Sequence, residues 1–163
     1  MAIFKPNYYL KSITDITPDF LKKNKINALI LDVDNTLTKH NCQEPANGIP
    51  QWLELMKKNG VSLIIVSNNT YERVLPFAQM LKLDFIADGK KPLPVGNNKA
   101  IECLGIDKSQ VAIVGDQVFT DVLGGKLGRI KTIMTRPIEL EDNPFFKFKR
   151  SMERIVLKGL IDY

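Results

Sequence analysis

The chain lacks long apolar runs and is poor in cysteine. No apolar run in its 163 residues approaches the roughly 18 that a membrane-spanning helix needs. Cys42 and Cys103 show no paired metal-ligand spacing, so we interpret both as reduced thiols. Residues 1–6 lack the apolar core and cleavage site of a signal peptide. These absences predict a cytoplasmic protein without disulfides.

Disorder and low-complexity character are also absent. The sequence is 44% apolar and 25% charged, an ordinary composition for a globular protein. No internal repeat or linker divides it, and its length suits one domain with a proper core. We therefore predict a single domain over residues 1–163.

The net charge of +5 favours anionic partners. The positive charge is concentrated at the ends, where residues 1–25 hold five lysines and two aspartates. A phosphorylated substrate, nucleic acid and an acidic membrane surface are all compatible with this charge. A solvated basic surface without a specific partner is the simpler alternative.

Strand patterns alternate with helix patterns through the middle of the chain, which indicates a parallel sheet with crossover helices. The predicted strands cover residues 26–32, 61–66, 85–87, 111–114 and 130–134. The predicted helices cover residues 49–59, 70–81, 95–104 and 121–128. The pattern predicts a doubly wound, Rossmann-like α/β sandwich with its core at about residues 26–135.

The two ends of the chain differ from this core. Thr17 and Pro18 form a helix start, so we predict a helical extension over residues 1–25. A basic amphipathic helix is predicted at about residues 144–161. Its apolar and basic positions recur at helical spacing: Phe145, Phe148, Met152, Ile155, Val156 and Leu160 against Lys147, Arg150, Arg154 and Lys158. Its apolar side either enters a membrane interface or packs on the domain. In the second case the phenylalanines are part of the core.

Polar clusters follow four of the predicted strands. They are Asp32 with Asp34, Ser67 with Asn68, Lys90 with Lys91, and Asp116 with Asp121. Ligands of open parallel sheets bind at the carboxyl ends of the strands. These clusters therefore predict one site at that edge of the sheet.

The residue types in these clusters suit metal-assisted phosphoryl chemistry. Mg²⁺ held by Asp32, Asp116 and a backbone carbonyl near Asp34 would neutralise a phosphoryl group. Asp32 would attack phosphorus to give an aspartyl-phosphate, while Asp34 would act first as acid and then as base. Ser67 and a lysine would bind phosphate oxygens.

The motifs resemble those of haloacid dehalogenase (HAD) superfamily phosphatases, in the right order. They are Asp32-Val33-Asp34-Asn35-Thr36, Ser67-Asn68, Lys91, and Gly115-Asp116 to Asp121. The resemblance implies catalytic Asp32 and Asp34, a Mg²⁺ site at Asp32, Asp34 and Asp116, and phosphate binding by Thr36, Ser67, Asn68 and Lys91. Asp121 would contact the metal through water or support a ligand. Family members place the lysine before proline, which favours Lys91 over Lys90.

Finer features are similar to the YqeG-like IIIA branch, which resembles phosphatidylglycerophosphate phosphatases. These features include Pro6-Asn7-Tyr8-Tyr9 and Lys91-Pro92-Leu93-Pro94. The gaps after Thr38 and Asn69, of about ten and twenty residues, are too short for a large cap domain. The site should be open and suit a large phosphorylated substrate. Phosphatidylglycerophosphate is our preferred one, with peripheral contact to the inner face of a membrane.

Three other functions stay open. A soluble phosphatase could act on nucleic-acid ends or small phosphometabolites, although the sequence holds no recognisable nucleic-acid-binding module. A receiver-like signalling protein also combines a doubly wound sheet, aspartate and Lys-Pro. The third open function is that of a scaffold protein that retains these motifs. The sequence does not determine the oligomeric state.

Overall fold

A six-stranded parallel sheet lies at the centre of the computed structural model, which describes residues 2–158. The strands are β1 Tyr8–Leu10, β2 Ala28–Leu31, β3 Ser62–Val66, β4 Asp84–Ile86, β5 Val111–Gly115 and β6 Lys131–Thr135. Their order across the sheet is β1-β6-β5-β2-β3-β4, and every neighbouring pair is parallel. This confirms the predicted HAD-like α/β fold.

Helices connect the strands. They are α1 Pro18–Lys23, α2 Ile49–Lys58, α3 Tyr71–Leu81, α4 Val95–Leu104, α5 Leu123–Leu127 and α6 Pro144–Val156. Short 3₁₀ turns occur at Ala2–Phe4, Ile13–Asp15 and Lys108–Gln110. The predicted helices at residues 49–59, 70–81 and 95–104 agree with the structure to within one residue.

The central strands are buried on both faces because both faces are covered. Alternate residues of β2 enter different cores: Leu29 and Leu31 pack with Trp52 and Phe77, whereas Ile30 packs with Ile113 on the opposite face. A period of two along each strand produces this division. The unbroken apolar runs that predicted these strands are thus explained by burial on two sides.

The N-terminal extension contains a strand that the sequence did not predict. Strand β1 is three residues long, too short to show alternation, and it pairs with β6 from Tyr8 opposite Ile133 to Leu10 opposite Thr135. The Asn7 side chain fixes this edge, because its Oδ1 accepts a 3.0 Å hydrogen bond from the Thr132 backbone N–H. Residues 1–25 are therefore not solely helical. Helix α1 begins as predicted, with Thr17 as its N-cap.

The predicted helix at residues 121–128 starts earlier and is irregular. A π-helical turn at Val118–Val122 precedes α5, and the Val122 N–H bonds to the Gln117 carbonyl. Close packing explains the glycine at position 125, since a Cβ there would lie 2.4 Å from Cγ2 of Thr132. The residue at this position must be glycine for α5 to approach β6 so closely.

Helix α6 presents its apolar side to solvent. Phe145, Phe148 and Ile155 are 67%, 66% and 68% exposed, so the expectation that these phenylalanines belong to the core is wrong. Glu153 is the buried residue of the helix, and Leu157 after it is also buried. The side of the helix that carries Glu153 thus faces the domain, and Leu157 packs there in a small apolar cluster with Val118, Val122 and Met134. Helix α6 ends at Val156, and the predicted continuation over residues 159–161 lies outside the described residues.

Two features bear on access to the sheet edge. Between residues 2 and 158, no inserted domain follows Thr38 or Asn69, as the gap lengths predict. No helix in that same range has the length and apolar character that crossing a bilayer demands.

Candidate active site

The predicted polar clusters meet at the carboxyl edge of the sheet. Strand β2 lies between β3 and β5, so Asp32, Ser67 and Asp116 emerge side by side from three adjacent strands. A cavity of about 270 Å³ opens at this edge. Its walls include Asp32, Asp34, Ser67, Asn68 and Lys91 from the predicted set and His40, Asn69, Gln117, Thr120, Phe145, Phe146 and Lys149 besides.

Lys91 is the cation at the centre of this cluster. Its Nζ donates hydrogen bonds to Asp32 Oδ1 at 2.6 Å and to Asp121 Oδ1 at 2.7 Å. Asn68 fixes the Lys91 backbone, with its Oδ1 accepting from the Lys91 N–H at 2.7 Å. Lys90 is exposed. Of the two neighbouring lysines, only Lys91 therefore reaches the acidic group.

Three carboxylates gather around a space suited to a cation. One oxygen each from Asp32, Asp116 and Asp121 lies within 4.8 Å of the others. Within the described residues, Asp116 Oδ1 is buried and has no hydrogen-bond partner. Carboxylate oxygens are the ligands that Mg²⁺ prefers, and an unpartnered buried oxygen supplies one. The residues present therefore fit a divalent cation.

Burial and the neighbouring charges shift the pKa values of the ionisable groups in this cluster. Burial, with a smaller contribution from Asp121, raises the pKa of Asp32 to about 7. Burial also raises the pKa of Asp116 well above its ordinary value, although Arg150 opposes the shift. Burial alone would lower the pKa of Lys91, but Asp121 and Asp32 outweigh it and raise that pKa. Added positive charge would favour the ionised carboxylates.

Asp34 is held apart from the three gathered carboxylates. Its carboxylate accepts hydrogen bonds from the Asn69 side chain, the Asn41 backbone N–H and Arg73, whose Nη2 lies 3.3 Å from Oδ1. It nevertheless lines the cavity beside Asp32. Its side chain therefore lies at the cavity wall and is not grouped with the oxygens of Asp32, Asp116 and Asp121.

The remaining predicted residues occupy different environments. Ser67 is buried and lines the cavity, and its Oγ accepts a 3.1 Å hydrogen bond from the Asn69 N–H. Thr36 is buried, but it is not among the residues that line the cavity. Asp121 also accepts from the Gln117 N–H at 3.2 Å.

Helix α6 contributes side chains that the sequence did not single out for the site. Arg150 forms ion pairs with Asp116, with Glu141 at 3.1 Å and with Glu153 at 3.0 Å. Phe145, Phe146 and Lys149 line the cavity. One signal was visible in the sequence: Glu153 is the sole acidic residue of an otherwise basic helix, three residues after Arg150. Such an i,i+3 pair indicates that the two side chains lie on the same side of the helix.

Known proteins share this sequence pattern and fold. The family model for haloacid dehalogenase-like hydrolases matches residues 8–135. "Probable phosphatase YqeG" of Bacillus subtilis (strain 168) is 35% identical over 157 residues, which cover 96% of this chain and 91% of that protein.

A plant protein and a solved structure are more distant. "Phosphatidylglycerophosphate phosphatase 1, chloroplastic/mitochondrial" of Arabidopsis thaliana is 24% identical over 163 residues. That alignment covers 94% of this chain and 47% of the plant protein, so the chain spans about half its length. The crystal structure of NagD from E. coli K-12 superposes with a TM-score of 0.59 at 13% identity, covering 74% of this chain and 93% of NagD. That likeness concerns the fold alone.

Proposed function

The chain belongs to the haloacid dehalogenase-like hydrolase family and is a phosphatase, and we propose that it works through an aspartyl-phosphate on Asp32. The observation that carries this mechanism is the buried group of Asp32, Asp116 and Asp121 around Lys91. Several buried charges at the wall of an open cavity are costly for folding, and they favour a catalytic role.

The proposed reaction has two displacement steps. In the first, an Asp32 oxygen bonds to phosphorus, the bond from phosphorus to the leaving oxygen breaks, and Asp34 gives that oxygen its proton. In the second, Asp34 takes a proton from water, whose oxygen attacks phosphorus and releases inorganic phosphate. Asp32 is then restored as a carboxylate. Lys91 and Ser67 bind the phosphate oxygens, and Asn68 orients Lys91.

Mg²⁺ is the proposed cofactor. Asp32, Asp116 and a backbone carbonyl near Asp34 would hold it, and Asp121 would support it directly or through water. When bound, it neutralises charge on the phosphoryl group. Thr36, which is the buried last residue of the first motif, is proposed to shape the phosphate-binding loop.

The proposed substrate is a phosphomonoester on a large molecule, with phosphatidylglycerophosphate as the first choice. Two observations support a lipid. Phe145 lines the cavity and is 67% exposed, so an apolar surface adjoins the catalytic edge. The plant relative named above carries phosphatidylglycerophosphate phosphatase in its name. A phosphate presented at a bilayer surface could reach an edge that no cap covers.

Peripheral membrane binding through α6 accompanies this proposal. Phe148, Met152 and Ile155 are exposed on one side of a helix that also carries exposed Lys147 and Arg154. Apolar side chains of this kind enter the interface of a bilayer, and cations attract its anionic headgroups. The protein would then act from the cytoplasm on the inner face of a membrane.

A substrate comparison tests the proposal. Phosphate release with Mg²⁺ is measured on phosphatidylglycerophosphate in phosphatidylglycerol vesicles, on an end-phosphorylated oligonucleotide and on small phosphometabolites. We expect the vesicle substrate to be hydrolysed fastest. A preference for the oligonucleotide or a small metabolite would reverse the order of our proposals, and retention of hydrolysis by D32N would contradict the mechanism.

Surface variants identify the role of α6. F148S/I155S should lose vesicle binding and most of the hydrolysis of the lipid. L55S is the control, because Leu55 is an exposed apolar residue on a different helix, α2. Equal loss in both variants would mean that the effect is not specific to α6.

A further inference from the structure

Arg150 joins α6 to the metal-binding edge of the sheet. Its Nη1 donates to the Asp116 backbone carbonyl at 2.9 Å and to Glu153 Oε2 at 3.0 Å. Its Nη2 donates to the Asp116 carboxylate and to Glu141 Oε1 at 3.1 Å. The Arg150 side chain is only 11% exposed, and that of Asp116 is fully buried. One guanidinium therefore holds both the backbone and the side chain of Asp116.

The two glutamates that flank Arg150 are themselves anchored in the loops of the site. Glu141 Oε1 accepts from the Asn35 side chain at 2.9 Å, directly after Asp34. Glu153 Oε1 accepts from the Val118 backbone N–H at 2.9 Å, two residues after Asp116. The network thus spans the loop after β2, the loop after β5 and the helix α6.

Only one oxygen of Asp116 is used by this network. Arg150 binds Oδ2, while Oδ1 is buried and lacks a hydrogen-bond partner within the described residues. An aspartate gripped at its carbonyl and at one carboxylate oxygen cannot rotate freely. Oδ1 is therefore the Asp116 carboxylate oxygen that remains available to a cation, in a group where one oxygen each of Asp32, Asp116 and Asp121 lies within 4.8 Å of the others.

The side of α6 that faces away from the domain is apolar. Phe148, Met152 and Ile155 are exposed, and the buried residue within the helix is Glu153. Polar contacts of Arg150 and Glu153, together with a short apolar contact of Leu157 with Val118 at the end of the helix, therefore attach α6 to the domain. A membrane that binds the apolar side more tightly in this docked orientation than in an undocked one would stabilise the docked helix and, through Arg150, the position of Asp116.

We infer that Arg150 is a positioning residue for the metal site and that α6 couples binding of an anionic membrane to binding of the divalent cation. This rests on the proposed phosphatase function and adds regulation of the same site. Coupling between two sites is reciprocal, so the membrane must raise metal affinity by the same factor by which the metal raises membrane affinity.

The first experiment measures metal affinity without turnover. Calorimetric titration of the full chain with Mn²⁺ is compared for the wild type, R150Q and R150K. We expect both variants to bind Mn²⁺ about 10- to 100-fold more weakly, as is typical when a partner of a metal ligand is lost. R150K tests the guanidinium fork, because a lysine keeps the charge but cannot bridge the same four acceptors. Thermal unfolding without metal verifies that each variant is folded.

The sign of the change separates two roles of Arg150. A positive charge near a cation site repels the cation, so a purely electrostatic role would make R150Q bind Mn²⁺ more tightly. A positioning role makes it bind more weakly. Tighter or unchanged binding in R150Q, or wild-type binding in R150K, would overturn the assignment.

The second experiment tests the coupling. Mn²⁺ affinity is measured with and without phosphatidylglycerol vesicles, and vesicle co-sedimentation is measured with and without Mn²⁺. We expect each partner to strengthen binding of the other by about 5-fold or more in the wild type. F148S/I155S should keep the Mn²⁺ affinity found in solution and lose the vesicle effect, whereas L55S should keep both.

The outcomes distinguish this inference from the proposed substrate. If vesicles bind through α6 but leave Mn²⁺ affinity unchanged, the coupling is wrong and the lipid substrate stands. If vesicles do not bind at all, both the coupling and the lipid substrate are wrong, while the R150Q titration still decides the positioning role.

Discussion

The Lys91 Nζ lies 2.6 Å from Asp32 Oδ1, and both side chains are almost fully buried. Asp121 completes the group on the other side of the ammonium, at 2.7 Å. Breaking a buried ion pair by removing one partner costs far more than the intact pair contributes, because the remaining charge stays buried and uncompensated. Removing Lys91 leaves two buried carboxylates without their cation, whereas removing the charge of Asp32 leaves Lys91 paired with Asp121.

Replacing Lys91 by methionine should destabilise the metal-free protein and stop hydrolysis. The expected loss is about 3–5 kcal/mol in the free energy of unfolding, since Asp32 and Asp121 lose their shared cation. Urea unfolding measures this loss. K90A is the matched control: Lys90 is exposed, so its change should stay within about 0.5 kcal/mol. A larger effect in K90A than in K91M would contradict the assignment of the lysine.

Replacing Asp32 by asparagine should abolish activity while stabilising the metal-free fold near pH 8. Asparagine has nearly the same shape but cannot act as the nucleophile, and loss of a nucleophile costs at least about a thousandfold in rate. The fold gains because burial raises the pKa of Asp32 to about 7, so its charge is unfavourable at pH 8. Phosphate release and thermal unfolding without metal give the two readouts. Lower stability of D32N at that pH would count against the electrostatic argument.

Much of this fold could be predicted because burial leaves a clear pattern. The apolar runs of β2 and β5 and the helical patterns over residues 70–81 and 95–104 predicted those elements correctly. The edge strand β1 was not predicted, because three residues are too few to show the alternation of a strand. Its pairing depends on Asn7 and Thr132, which lie 125 residues apart in the chain.

The sequence predicted the site residues that directly follow the strands. It did not predict those whose role depends on tertiary contacts. Asp32, Ser67, Lys91 and Asp116 come together because parallel strands share one carboxyl edge. The role of Arg150 depends on which side of an amphipathic helix meets the domain. Apolar periodicity favours the side bearing Phe148 as the buried one. In the structure the opposite side faces the domain, where Arg150 pairs with Asp116 and Glu153 accepts from the Val118 N–H.

Stabilisation by Mg²⁺ should increase with pH. In the unfolded chain Asp32 ionises near pH 4, whereas in the metal-free fold it ionises near pH 7. Between these values the folded state holds more protons than the unfolded one, so this group makes the metal-free fold less stable as pH rises. Mg²⁺ binds the ionised carboxylate and offsets that loss. The Mg²⁺-induced rise in Tm should be larger at pH 8 than at pH 5.5, and D32N should reduce the difference. Equal rises at both pH values in the wild type would refute this expectation.

Replacing Gly115, the last residue of β5, by alanine should weaken the metal site. A Cβ at this position would lie 2.2 Å from Cγ of Asp121, so Asp121 has to move away from Lys91 and Asp116. Overpacking of this kind costs about 1–3 kcal/mol in the free energy of unfolding. The sharper consequence is functional, because Asp121 is one of the three gathered carboxylates. We expect G115A to fold, to show a smaller Mg²⁺-induced rise in Tm than the wild type and to lose most phosphatase activity. A variant that folds with an unchanged metal response and full activity would contradict the role of Asp121 in the site.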